Sequence, residues 1–480
     1  MIWTTILAAL CCATPSGEVR AALLDLKQHV PAESRLTTRY VTFYALPESQ
    51  WSSGRAVVSF VLNSVSRSSV IVVPDVVPGS RGRLLRIDVA RLARRKEDLT
   101  AWLRAWEHMV EDDPYFHLKT VVLDPRDGKR RTVLTDGGWV NLARAAKLRR
   151  FCGSSGAIVR ADWFVSRACV TPLYYEFAGI PERKEPWLRR LGIDAKTIVR
   201  LDANRGANLL RSRVTDKPRR LSRWSAPHGA VWNTYDSDGL DQTKDVFRNP
   251  TFAVGFDAGE HIATRANGLL EYALFNARGV RQDAVPPEIA IDDTVSPPVP
   301  LVPMLSCVRC HAADGGDGLR SFADDQSRLL ADGVELLVQD GRQLQSLESF
   351  YGRQRRLKRE LQRDREDYRE AVAQATGGMT PAKIAAALAG MFRAYVTEEV
   401  TLERAAREVG LTAERFRVLM GRSVDPLLLA LVEGIPIRPA QWEASYAAAA
   451  ILAASADNSE DEPGQLFNGQ DEVFSSGGEP

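Results

Sequence analysis

The decapeptide SCVRCHAADG, Ser306 to Gly315, sets Cys307 and Cys310 three positions apart and places His311 directly after them. Thiols at that spacing lie about one helical turn apart, within reach of the two vinyl groups on one edge of a porphyrin. The adjacent imidazole can then swing beneath the ring as a neutral nitrogen ligand to iron. The pattern predicts covalent attachment of one haem c, with Cys307 and Cys310 as anchors and His311 as the proximal ligand. At this chain's Cys and His frequencies, a Cys-x-x-Cys-His match arises by chance in about one such sequence in a thousand, so the signal is specific. Two rival chemistries use the same residues. A structural zinc site needs a second ligand pair at comparable spacing, and Cys152 and Cys169 stand too far apart in sequence to form a knuckle. A thioredoxin-like dithiol belongs at the start of a helix after a core strand, whereas a proline-rich stretch precedes this motif. A multihaem wire or two-haem peroxidase would need further thiol pairs of the same kind.

The far side of the iron decides what such a haem does. A strong protein ligand leaves only electron transfer, whereas an open position admits small molecules. Met379, in ATGGMTPAK, lies in a loop before a helix on the C-terminal side of the motif, as expected of a methionine reaching back to the ring. Met391 and Met420 sit on apolar helical faces and read as packing. His228 and His261, in a loop-rich stretch, are the histidine alternatives, ahead of His29, His108 and His117. The favoured expectation is single-electron transfer with an unidentified redox partner protein. The alternatives are a haem enzyme or small-ligand sensor with an open iron position, and a zinc-bearing or dithiol-bearing surface protein. The loop DSDGLDQTKD does not place its acids at calcium-loop spacing, and no nucleotide loop, serine-hydrolase elbow or zinc-protease helix is present.

The elements that must position these groups come from a chain of 480 residues, 45% hydrophobic, long enough for two or three core-bearing parts. Its 63 basic and 61 acidic side chains nearly cancel, so no large field draws it to phosphates, and nucleic acid is not expected as a partner. Residues 1–14 read as a signal peptide: an apolar run from Ile2 to about Ala13, then small residues. A lipid anchor at Cys11 or Cys12 and a buried N-terminal segment are the alternatives, and the expected location is periplasmic or secreted. Elsewhere no run is apolar and long enough to predict a membrane span. Cys152 and Cys169 would then be left either to close a disulfide in an oxidising compartment or to remain buried thiols.

The expected fold class is α+β. An N-terminal α+β region (15–150) carries strands in TRYVTFYAL and SVIVVPDVV, a segment AVVSFVLNSVS that is helix or strand, and a helix in AWLRAWEHMV. A loop-rich α+β region (151–300) is marked by Gly, Asn, Asp and Pro. IDDTVSPPVPLVPM reads as a stiff extended connector into a mainly helical haem-binding region (301–455). There the pattern predicts helix from Ser327 to Ala375 and in TPAKIAAALAGMFRAYV and TLERAAREVGLTAERFRVLM, the last two opened by Thr caps. Residues 456–480 read as a disordered acidic tail.

Beyond the motif, AIVRADWFV (Ala157 to Val165), YDSDGLDQTKDVFRNP, the block GEHIATRANGLLEYALFNARGVRQDAVPPEIAIDD and LSCVRCH after it carry a likeness. It extends to LLRIDV, DDPYF and the ERAAREVGL helix, so it covers most of the chain. On these residues the chain resembles a family of exported bacterial single-haem cytochrome c-like proteins of uncharacterised function. That resemblance implies a secreted or periplasmic protein whose Cys307 and Cys310 hold haem covalently and whose His311 binds the iron. HIATRANG departs from the family's apolar stretch before Asn-Gly, which weakens His261 as a ligand. Asn267-Gly268 reads as a tight turn between strands, and Trp163, Trp232 and Tyr235 as core packing, with a wall of the haem pocket as the alternative.

Overall fold

The β-branched and aromatic residues of TRYVTFYAL make Thr38–Thr42 a strand, β1, and all five residues are buried between covered faces. The structure, a computed structural model, describes residues 15–116, 118–123, 130–135, 142–194, 204–209, 217, 219–237, 240–246, 256–285, 291–292, 299–312, 317–319, 327–328 and 354–457. The leader at 1–14 lies outside those residues; of the tail expected at 456–480, Ala456 and Asp457 instead end a helix, and 458–480 lie outside the described residues. The fold is α+β with a mainly helical C-terminal part. Among the described residues no helix is long and apolar enough to cross a membrane.

A four-stranded sheet has the order β2 (Asp75–Val76), β3 (Leu84–Asp88), β1, β6 (Ile158–Arg160). β1 runs antiparallel to β3 and parallel to β6. Helix α1 (Pro15–Gln28) is tied to it by two inward carboxylates: Glu18 accepts from Thr42 Oγ1 at 2.8 Å and Arg83 Nε at 2.6 Å, and Asp25 accepts from Tyr40 Oη and Arg86 Nη1, both at 2.9 Å. SVIVVPDVV is not the strand its residue types predict, since only Asp75 and Val76 pair with β3. Asn63 supplies the reason: its side chain takes both the Val72 amide (2.7 Å) and the Val72 carbonyl (2.8 Å), so this backbone needs no ladder.

Asn63 belongs to α2 (Trp51–Val65), which settles AVVSFVLNSVS as helix. Every residue from Ala56 to Val65 is buried. A helix wrapped on all sides needs no polar stripe, which is why its periodicity is weak. Gly54 permits the tight fit, because a Cβ there would lie 2.8 Å from Phe43 Cε1 and 3.2 Å from Met391 Cε. The remaining N-terminal helices are α3 (Lys96–Val110), α4 (Leu142–Cys152), α5 (Ala161–Ala168), α6 (Leu173–Ala178) and α7 (Lys184–Arg190), with a separate hairpin of β4 (Leu118–Leu123) and β5 (Arg130–Thr135). Cys152 ends α4 and Cys169 follows α5, and no disulfide joins them. Burial pushes the Cys152 thiol up to about 11 and Cys169 higher still, so both stay protonated.

Between its loops the middle region carries an antiparallel sheet formed by β7 (Asn204–Leu209), β8 (Arg219–Ala226), β9 (Gly229–Tyr235), β10 (Ala258–Thr264) and β11 (Leu270–Asn276), with β14 (Ser327–Arg328) beyond β7. The turn between β10 and β11 is the expected Asn267-Gly268 pair, with Gly268 at φ +84°. Trp163 and Trp232 are buried as core packing, and Tyr235 is half-buried. The proline-rich stretch is not a free connector: β12 (Ile291–Asp292) pairs with β13 (Val299–Pro300), which hydrogen-bonds its two ends together. Residues 293–298 lie outside the described residues.

After the motif-bearing helix α8 (Leu305–Ala312) come α9 (Gln354–Thr376), α10 (Pro381–Val396), α11 (Leu402–Glu408), α12 (Ala413–Met420), α13 (Pro426–Val432) and α14 (Pro439–Asp457). The helix expected from Ser327 is confined to α9: Ser327 and Arg328 form β14, and 329–353 lie outside the described residues. Thr380 and Thr401 cap α10 and α11 as expected. TLERAAREVGLTAERFRVLM, however, is two helices. Gly410 at φ +77° ends the first, with Leu411 N–H on Ala406 O at 2.8 Å, and Thr412 caps the second through Arg415 N–H.

The helical part docks on the N-terminal part through a buried ionic knot. Arg160, at the end of β6, donates Nε and Nη2 to Asp162 (3.1 and 2.6 Å) and Nη1 to Glu408 of α11 (2.6 Å). Its guanidinium lies 3.8 Å over the Tyr115 ring. Arg404 and Trp442 supply Glu408 with further donors at 2.9 and 2.8 Å. Nearby, buried Asp113 accepts from the Tyr115 and Phe116 amides at 2.8 and 3.4 Å, and burial pushes its carboxyl up to about 7. Asp113 is therefore protonated in the fold between its unfolded value near 4 and about 7, while the unfolded chain has released that proton. Its stabilising contribution is full below the unfolded value and is lost as pH rises through about 7. Asp113→Asn is expected to flatten the fall in stability between pH 4 and 7 and to raise stability at pH 8 by about 2 kcal/mol, measured by urea unfolding across pH. A variant whose curve parallels wild type would remove Asp113 as the cause.

Candidate functional site

Helix α8 begins immediately after Pro303 and Met304, the latter held at φ +66° and fully buried. The Val308 amide closes on Met304 O at 2.7 Å, and the Ser306 Oγ accepts from the Val302 amide at 3.2 Å, fastening the turn. On this helix Cys307, Cys310 and His311 fall at i, i+3 and i+4, so both thiols and the imidazole share one side. Cys307 is 8% exposed and Cys310 is 7% exposed, so the protein covers both sulfurs; His311 is half-buried. Helix α10 packs against α8.

Cys307 lies among tyrosines that sequence reasoning missed. Burial raises the hydroxyl pKa of Tyr174, Tyr175 and Tyr272 above the ordinary tyrosine value, so all three stay protonated; the Glu271 carboxylate adds to this at Tyr174, and the charge that Cys307 would carry as a thiolate adds a smaller part at each. Tyr174 Oη accepts from the Tyr272 amide at 2.8 Å, while Tyr175 Oη accepts from the Leu274 amide at 3.2 Å and donates to Gln282 O at 2.7 Å. These tyrosines come from α6 and β11, far from the motif in sequence, and LYYEFA and LEYALFN carry no spacing that announces a shared site. Just beyond the motif, Gly318 at φ +81° makes a close approach, since a Cβ there would sit 2.3 Å from Tyr368 Cδ1. Asp317 pairs with Arg369 at 2.5 Å and Arg365 at 3.4 Å, tying this segment to α9.

Met379 lies in the α9–α10 loop, partly buried against the apolar core, with its amide on Thr376 Oγ1 at 3.1 Å. It thus precedes the helix that packs on α8. Met420 is fully buried in α12, and Met391 fills the space over Gly54, as packing residues do. The histidines scatter. His29 sits beside Asp25 at 3.3 Å, and exposed His108 pairs with Glu176 at 2.9 Å, which raises its basicity. His228 is exposed in the β8–β9 turn, and His117 lies outside the described residues. His261 is not a loop residue: it is on β10, buried, with Nδ1 on Gly259 O at 2.9 Å, and burial holds it neutral.

The donor set fits a covalently held porphyrin: two thiols one turn apart to anchor it and an imidazole in the next position that could bind iron. Cys307 and Cys310 would hold such a group and His311 would face its metal. Among the described residues no group of three or more His, Cys, Asp or Glu side chains, those of α8 included, is placed to hold a metal ion by itself. Compared with protein families, curated proteins and solved structures, the chain finds no match.

Proposed function

We propose that this chain is a c-type cytochrome-like protein that binds one covalent haem c and passes single electrons outside the cytoplasm to a redox partner protein. The observation that carries this reading is the i, i+3, i+4 placement of Cys307, Cys310 and His311 on α8. The haem would supply the ferric–ferrous couple. The protein's part is to anchor the ring through both sulfurs, set the proximal field through His311, and surround the anchor with the buried tyrosines of α6 and β11. Met379 is the candidate for the far side of the iron. The resemblance of the middle block and LSCVRCH to exported single-haem proteins supports the same location.

The test is production in a host that matures c-type cytochromes during export. The mature chain is expected to carry the mass of one covalently added haem, to resist removal of that mass by acid-acetone, and to bind carbon monoxide slowly or not at all when reduced. Exported protein without the added mass would sink the haem assignment. Prompt carbon monoxide binding at neutral pH would leave the haem but replace electron transfer by an open-iron function.

A further inference from the structure

Lys184 opens α7, where the partial positive charge of a helix N-terminus disfavours an ammonium. Its Nζ stands 5.4 Å from the Trp224 ring centroid, 5.8 Å from Tyr235 and 6.0 Å from Phe256, so three aromatic faces, two from the six-stranded sheet and one two residues before β10, flank it. Among the described residues no carboxylate pairs with this amine. Its helix neighbour Glu185 is exposed and taken by Arg189 at 3.0 Å. Besides Tyr235, the titratable His261 of β10 feels this amine: it is held neutral by burial and, secondarily, by the Lys184 charge. Lys184 is half-buried as a residue, so part of its side chain reaches solvent.

We propose that Lys184 Nζ, ringed by Trp224, Tyr235 and Phe256, is a nucleophilic amine that condenses reversibly with a small flat aldehyde or ketone. An ordinary lysine is almost wholly protonated at neutral pH and has no lone pair to offer. Here burial brings the amine down to about 8, which leaves a substantial neutral fraction at neutral to mildly alkaline pH. The lone pair forms a C–N bond to the carbonyl carbon, and the carbonyl oxygen takes up a proton. Loss of that oxygen as water and of a proton from nitrogen leaves an imine, with no change of oxidation state. The aromatic ring of the site favours a planar conjugated carbonyl by stacking and favours the cationic iminium by the same quadrupole attraction that it offers the ammonium. This site is independent of the haem reading.

The experiment uses the full chain with benzaldehyde as probe, cyanoborohydride to trap the imine, and peptide mass mapping at pH 7.5. Lys184 is expected to be labelled about tenfold or more faster than exposed Lys96 and Lys383, as its larger neutral fraction requires. Lys184→Arg should lose the adduct while keeping the wild-type unfolding midpoint. Acetic anhydride serves as a small amine probe without a condensing carbonyl. Preferential acetylation without benzaldehyde trapping would overturn the carbonyl site, and labelling of Lys184 no faster than Lys96 by both reagents would overturn its nucleophilicity as well.

Discussion

Arg160→Met lowers the unfolding free energy by about 3–5 kcal/mol at pH 7, the expected result of removing one partner from a buried charge cluster. The substitution leaves the Asp162 and Glu408 carboxylates facing the space that a fully buried guanidinium had occupied. In the wild type, burial of Arg160 opposes its charge, yet the two carboxylates outweigh that burial and hold it protonated. Glu408 is held below the usual carboxylate range in turn, its own burial overcome by Arg160 and Arg404. A carboxyl lowered in the fold gives stability that is present above its unfolded value near 4.5 and is lost as pH falls through the folded value. The wild type should therefore weaken on that acid side. In the variant Glu408 keeps Arg404 but loses Arg160, the larger of its two lowering charges, so its carboxyl rises and the deficit should shrink between pH 7 and pH 4 as it protonates. Urea unfolding at both pH values checks this, with Arg160→Met/Glu408→Gln as the second corner of the comparison. The double variant should recover part of the loss because one uncompensated charge has gone with its partner. A loss under about 1 kcal/mol, or one that does not depend on pH, would mean that the knot does not hold the helical part to the sheet.

That knot also shows where sequence reading stops. Thr380 before PAKIAAAL and Thr401 before LERAARE announce helix starts because the capping oxygen and the amide it serves are three residues apart. Asn267-Gly268 announces its turn for the same local reason. Gly410-Leu411-Thr412 contains both a stop and a restart signal, and the break it makes was legible at the level of single residues though not from apolar periodicity. By contrast, Arg160 and Glu408 are 248 positions apart, and nothing in either neighbourhood marks the other. Beyond the β10–β11 pair that Asn267-Gly268 announces, the antiparallel sheet of the middle region was equally hidden. β8 reads RRLSRWSA, and its arginines look like a solvated segment until the fold gives Arg219 its partner Asp236 at 2.6 Å and Arg223 its partner Asp364 of α9 at 2.8 Å. SVIVVPDVV erred in the other direction, as a strand-like composition overridden by one asparagine on a neighbouring helix. The site follows the same division: the donors of α8 are adjacent in sequence and could be named from it, whereas the tyrosines that surround Cys307 converge only in three dimensions.

Cys307→Ala with Cys310→Ala abolishes covalent haem in the exported chain, if the proposed function holds, and leaves the protein folded. The two effects separate because each sulfur fills a small buried space, so truncation to alanine costs about 1–2 kcal/mol per site rather than a collapse of the core. Intact mass and the reduced-minus-oxidised spectrum report the first effect, and the urea midpoint reports the second. The cover over the sulfurs adds a sharper expectation. With Cys307 and Cys310 at 8% and 7% exposure, the folded chain offers neither thiol to a bulky planar reactant. If haem is attached as proposed, Cys307 and Cys310 would have to be released from this cover, with α8 free of its packing on α10, before either thiol could reach the group. Attachment should accordingly occur on the unfolded or partly folded chain during export. Purified folded wild-type chain, incubated with reduced haem and thiol reductant, should gain thioether-linked mass at least about tenfold more slowly than the same chain held in urea, because reaction from the fold must wait for local opening. The cysteine variant should gain none in either state. Equal rates in the folded and unfolded chain would show that the sulfurs are open in solution. Haem-loaded variant of unchanged mass would mean that α8 holds the group by His311 alone. Absence of haem from exported wild type would leave the pair on α8 to the zinc or dithiol chemistry that the same residues permit.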